Sequence, residues 1–219
     1  MAKKKKKNLK HTEAVNRREQ AEAEMSKLGL KLSDDLAAIG FVFSHLAVSH
    51  LVYCGLNSIN CLCRDYAGVD VCIFSQHIIA PCLIPLCSVY GVVDLTRWKN
   101  DPLITTSIGT TIDALATNAP NIYHYAFDPE FIDNNSCDSQ DLHRAFCDPR
   151  VKVIVRHESH AKLIEAEFGI FVCDIVVPDC DAVMLAKFVL TEMKNERKSN
   201  ATDKDEETRT RTGTTPTRV

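Results

Sequence analysis

Several groups of polar side chains follow or close β-branched, apolar runs along this chain: Ser44 with His45, Gln76 with His77, the Ser107 to Thr111 turn with Gly109 and Thr110, Tyr125 with Asp128, and Arg156-His157-Glu158. An imidazole titrates close to neutral pH and can move a proton, whereas hydroxyls and backbone N–H groups at a helix start can hold an anion. Brought to one rim, these groups would line a binding site. Scattered, they would cap helices and satisfy loop backbone, which Ser44, Ser107 and Ser159 are each placed to do. A single loop histidine is more often a hydrogen-bonded surface group than a catalyst, so the case rests on convergence.

The elements that must bring them together are clearest between Arg150 and Asp181. Val151, Val153, Ile154 and Val155 form a β-branched run behind the Asp148-Pro149 breaker, which predicts a buried strand. Glu158 or Ser159 can cap a helix in which Ala161, Leu163, Ile164 and Phe168 share a face, and Gly169 stands where it should stop. A second apolar run, Ile170 to Val177, ends at Pro178. About thirty residues of strand, helix and strand suit a right-handed parallel crossover.

The same alternation extends upstream. Ile39 to Phe43 is expected as a first strand, with Ser44 capping a helix that buries Leu46, Val52, Leu56 and Ile59, and Val69 to Phe74 as a second strand. Two prolines break IIAPCLIPLCSVYGVV into a loop and a short strand near 88–93, followed by a helical turn over 94–99. Leu103 to Thr106 and Asn121 to Phe127 are the next strands, with a helix through Leu115 between them and a short helix over 141–146 after them. Asp181 to Met193 is the closing helix. The expectation is an α/β fold: one Rossmann-like domain over 32–193, with a mostly parallel sheet covered on both faces. A basic arm over 1–31, disordered and then helical, and a disordered charged tail over 194–219 would flank it.

The net charge of -3 conceals an uneven distribution. Residues 1–31 hold ten Lys or Arg against four acids, and residues 194–219 hold seven against five, leaving the body with nine basic and twenty acidic residues. An arm carrying Lys3, Lys4, Lys5, Lys6 and Lys7 suits nucleic acid or an acidic protein, or is simply a solvated tail. The ten cysteines follow no signal peptide, and several sit in apolar runs, so reduced thiols in a cytoplasmic protein are expected.

No metal centre is expected. His157 with His160, and Cys61 with Cys63, each lack a second pair at structural-zinc spacing. Residues 36–63 and 71–93 carry no charge and raise a two-span membrane hairpin as a minor alternative, opposed by His45, His50, Asn57, Asn60, Gln76 and His77, each costly in lipid. Neither a dinucleotide fingerprint nor a Walker lysine is present, and the single glycine of Ser107-Ile-Gly-Thr-Thr is a weak phosphate signal. Arg144, Arg150, Lys152, Arg156 and Lys162 could bind an anion or balance nearby carboxylates, the second being the expectation.

The run from the strand through Arg-His-Glu-Ser-His-Ala, a helix, Phe-Gly, and a strand closing in Val-Val-Pro-Asp-Cys-Asp resembles the end of the N-terminal, acceptor-side half of GT-B glycosyltransferases. Val177, Pro178, Asp179 and Asp181 take the hinge positions, and 70–85, 103–111 and 123–131 are similar to uncharacterised glycosyltransferase-like proteins of T4-type tailed phages. The resemblance spans about 39–190 and implies an acceptor-side half without a donor half, so that a transferase would need a partner chain for it or the activity has been lost, with a nucleotide sugar as co-substrate and no other cofactor. His45 or His77 would then be the base for an acceptor hydroxyl, with Ser44, Ser107, Gly109, Thr110, Asp128, Arg156, His157 and Glu158 around the ligand and Arg156 on the anionic leaving side. The host cytoplasm would be the setting if the protein is viral. The competing expectation is a non-catalytic Rossmann-like binding or assembly protein, of phage origin, whose basic arm finds nucleic acid or an acidic partner.

Overall fold

A computed structural model describes residues 36–66, 68–128 and 139–196. The basic arm, most of the C-terminal tail and Cys137 lie outside the described residues. Seven strands form one sheet: β1 (Ala38–Leu46), β2 (Asp70–Ile78), β3 (Ser88–Gly91), β4 (Leu103–Thr105), β5 (Ile122–Ala126), β6 (Val151–Val155) and β7 (Val172–Val176). Their order is β3-β2-β1-β4-β5-β6-β7, and every pairing is parallel. The helices are α1 (His50–Asp65), α2 (Ile108–Leu115), α3 (Ser139–Cys147), α4 (Glu158–Phe168) and α5 (182–196). The expected α/β Rossmann-like domain is therefore observed.

Strand alternation builds two cores. Phe41, Phe43, Ile73, Tyr123 and Tyr125 point to one face, where α1 contributes Val52, Leu56, Ile59 and Leu62 and α5 contributes Val183, Leu185, Val189 and Leu190. The intervening residues, Val42, Cys72, Phe74, Leu103 and Ile122, meet Ala114 and Trp98 on the other face. Val153, Val155 and Val172 continue that face against Ile164, with Phe146 and Phe168 packed alongside. Both faces are covered, which is why the central strands are largely apolar on both sides instead of alternating with polar residues.

Close approach is built in at Gly40, where an added Cβ would stand 2.6 Å from Leu103 Cδ2. Gly169 ends α4 as expected, in the left-handed region at φ 63°. Among the described residues no helix is long and apolar enough to cross a membrane; the uncharged runs become β1, α1, β2 and β3.

Several local expectations are corrected. β1 runs on through Ser44 and His45 to Leu46, and β2 through Gln76 and His77 to Ile78, because the two strands keep pairing as far as Leu46↔Ile78. Ser44 is thus a strand residue, and Ser49 caps α1 by accepting the Val52 amide at 3.2 Å. Leu46 is buried, but from the strand and not from the helix. α4 begins at Glu158 with His157 at its N-cap and no side-chain capping bond, so neither Glu158 nor Ser159 fills that place. Leu163 is 42% exposed, since Ala161, Ile164 and Phe168 alone follow the 3–4 spacing of the buried face.

Candidate functional site

With all strands parallel, every polar group at a strand's carboxyl end comes to the same edge of the sheet. The chain moves outward from β1 to β3, then crosses back to β4 on the far side of β1, so the connection reverses at the β1/β4 boundary. Ligands of open α/β sheets bind in the crevice beyond such a boundary.

On one side of it stand His45 and His77. They are register partners on the two longest strands, both exposed, with ring centroids 5.0 Å apart and planes tilted by 32°. Odd-numbered positions of β1 and β2 share a face, so the register that buries Phe41, Phe43 and Ile73 also sets the two imidazoles side by side. The Ser75 hydroxyl donates to the His77 carbonyl at 2.9 Å and holds the strand end in place.

At the reversal itself the hydroxyls are turned inward. Ser107 caps α2 through the Thr110 amide, and the Thr110 hydroxyl takes the Ser107 amide in return at 3.0 Å, closing a capping box. Thr110 is fully buried, Thr106 donates to the Val42 carbonyl at 3.0 Å, and Gly109 is exposed. Ser44 is half-buried on β1 nearby. Below them Thr105, Thr111 and His124 form a buried chain, with Thr111 Oγ1 2.7 Å from Thr105 Oγ1 and 2.9 Å from His124 Nδ1. Thr111 also lies 3.0 Å from the Ser107 carbonyl, which can only accept. If Thr111 gives its one proton there, His124 carries its hydrogen on Nδ1. Burial lowers the His124 pKa from its ordinary 6.5 to about 4.

On the other side, the ends of β5, β6 and β7 meet the start of α1. The Arg156 guanidinium lies over the Phe127 ring at 4.1 Å, donates to Asp179 Oδ1 at 2.9 Å, and has Asp128 at 3.6 Å. His50 meets the same ring edge-on at 5.4 Å. His50, Cys54 and Asp179 each turn one potential metal-binding atom inward, all within 4.8 Å of one another. Burial, and after it the Asp179 charge, pushes the Cys54 thiol above its ordinary pKa. His157 packs on His160 at 5.1 Å, and His160 is held below the usual imidazole range by burial and then by His157.

The segment carrying Asp179 is fixed from three directions. The Tyr125 hydroxyl donates to the Val177 carbonyl at 2.6 Å and accepts the Cys180 amide at 2.9 Å. Asp181 Oδ1 accepts the amides of Val183 and Met184 and so caps α5, while Ser58 Oγ accepts the Ala182 amide at 2.7 Å. Between these anchors Asp179 and Cys180 are both left-handed, with φ of 52° and 53°.

The structure thus divides the sequence-derived candidates. His45 and His77 touch one another, and Asp128 and Arg156 are paired with His157 close by. Ser107 and Thr110 are occupied by helix capping, and Glu158 is exposed in the first turn of α4. The basic cluster is largely balanced by carboxylates, Arg150 by Asp148, Lys152 by Glu192 and Glu196, and Arg156 by Asp128 and Asp179. Neither His157/His160 nor Cys61/Cys63 gains a third ligand among the described residues, whereas the trio with His50 and Cys54 escaped the sequence reading. Its signal was there: histidine and cysteine four apart face the same way on a helix.

Two clefts among the described residues lie elsewhere. One of about 520 Å³ is lined by Phe74, Tyr90 and Trp98 beside Asp94 and Arg97, and another of about 340 Å³ by Phe146, Phe171 and Cys173. Both offer apolar walls with carboxylates among them, but neither is lined by a histidine, whereas the carboxyl edge sets two side by side. No protein-family model, curated protein or solved structure matches the chain.

Proposed function

We propose that this domain is glycosyltransferase-like: an acceptor-binding half that receives a hydroxyl-bearing, sugar-type ligand over the carboxyl edge. One observation carries the reading, the exposed His45–His77 pair at the ends of β1 and β2. A neutral imidazole there accepts the acceptor hydroxyl's proton, and its neighbour orients the ligand by hydrogen bonding. Further support comes from β6, α4 and β7 running into the Val177–Asp181 segment and then into a helix that packs back on the sheet, the sequence of elements that the resemblance implies. Nucleotide sugars and simple glycosides, tested separately, should raise the melting temperature of the full chain. A ligand at a hundred times its Kd adds about 2.7 kcal/mol. The gain should vanish in the His45→Ala/His77→Ala double variant, and an unshifted wild-type protein would remove the reading.

A second reading, a non-catalytic binding or assembly protein, is favoured by the occupied state of the phosphate-gripping groups. Ser107 and Thr110 cap one another, and Arg156 is matched by two carboxylates. It predicts salt-sensitive DNA binding that is lost when residues 1–11, including Lys3 to Lys7, are deleted.

A further inference from the structure

We infer that His50, Cys54 and Asp179 form a mononuclear zinc site with one open coordination position. The inference does not depend on the glycosyltransferase reading, because it rests on the donor set alone. His50 and Cys54 lie one turn apart on the same face of α1, and Asp179 arrives from the segment after β7. A nitrogen, a sulfur and a carboxylate oxygen lie within 4.8 Å of one another, somewhat wider than a tetrahedral zinc shell. Bonds of about 2.0–2.3 Å would draw them together. His50 and Asp179 are exposed and Cys54 is half-buried, so side-chain rotation can supply the closure.

The donor types choose the ion. Thiolate and imidazole favour zinc over magnesium or calcium, which take oxygen ligands. Three protein ligands leave a fourth position for water or substrate, unlike the closed four-ligand shells of structural sites. Around the trio is the support such sites require. Arg156 donates to Oδ1 of Asp179 and so holds the carboxylate, and the Tyr125 hydroxyl fixes the backbone on both sides of Asp179. Binding is balanced as a ligand exchange: the Cys54 S–H bond breaks, its sulfur bonds the zinc, and one proton leaves to solvent.

The test uses the full chain, freed of metal with a chelator and titrated with Zn2+ against a chromophoric competitor, then with Co2+. One equivalent of zinc should bind, and Co2+ should give a sulfur-to-cobalt charge-transfer band. Loss of an outer partner of a metal ligand typically weakens binding about 10–100-fold, so His50→Ala, Cys54→Ser and Asp179→Asn should each lose about 100-fold or more. Cys61→Ser and Cys63→Ser should bind as the parent does. On the unaltered protein, Zn2+ should shield Cys54 from iodoacetamide in peptide mass spectrometry, a readout independent of whether any variant folds. A cobalt band that survives Cys54→Ser, or Cys54 labelling indifferent to zinc, would overturn the assignment.

Discussion

Tyr125 is bonded to Cys180 across fifty-five residues of chain, the backbone amide of one donating to the phenolic oxygen of the other at 2.9 Å. The same hydroxyl donates to the Val177 carbonyl, so one buried oxygen bridges the two ends of a short segment in which Asp179 and Cys180 are left-handed. Burial pushes the phenol above its ordinary pKa, which keeps the donated proton in place. Tyr125→Phe retains the ring and leaves a buried amide and carbonyl without this partner, a loss of about 1–3 kcal/mol. Urea denaturation should show a lower midpoint with an unchanged slope. An unchanged midpoint would mean that the segment is held without the hydroxyl.

His124 makes stability depend on pH. Its folded pKa is depressed to about 4, against an ordinary 6.5. Between those values an unfolded chain takes up a proton that the folded state refuses, so stability falls as pH drops through about 6.5 and the loss levels off below about 4. The full effect is on the order of 3 kcal/mol for this 1% exposed ring. His124→Asn keeps a nitrogen donor near the Nδ1 position and cannot titrate. Denaturation midpoints measured from pH 7 to pH 4 should fall less steeply for the variant than for the parent, and parallel curves would count against the assignment.

Gly40 tests the packing of the sheet centre. A methyl group there meets Leu103 Cδ2 at 2.6 Å and Phe74 Cε2 at 3.3 Å, so side chains of β4 and β2 would have to shift. Gly40→Ala should cost about 1–3 kcal/mol by overpacking. Thermal melting should record the loss, and Gly109→Ala, where the space is open, serves as the control.

The fold was readable wherever a segment was buried on both sides. Val151 to Val155, Gly169 and the Ser107 cap each stand where periodicity and capping chemistry put them. The ends of β1 and β2 were harder to read. Ser44-His45 and Gln76-His77 look like loop residues because they lie beyond the covered part of the sheet, and only their partners in the opposite strand keep them extended. The candidate site was legible as a rim but not as contacts. The His45–His77 pairing needs a register, and the meeting of His50 and Cys54 with Asp179 needs α1 to lie against a segment 125 residues downstream of Cys54. No local pattern encodes either.

β4 is three residues long, whereas β1 and β2 each have nine, so their last residues overhang the sheet as a two-stranded ledge. Parity governs what that ledge displays. Deleting one residue from β2 ahead of His77 would turn its ring to the opposite side and divorce it from His45. Removing a residue pair from each strand would keep both rings companionable but retract them by about 7 Å. The length of the overhang therefore sets how far the two imidazoles reach into solvent, and an even count of residues keeps them facing the same way.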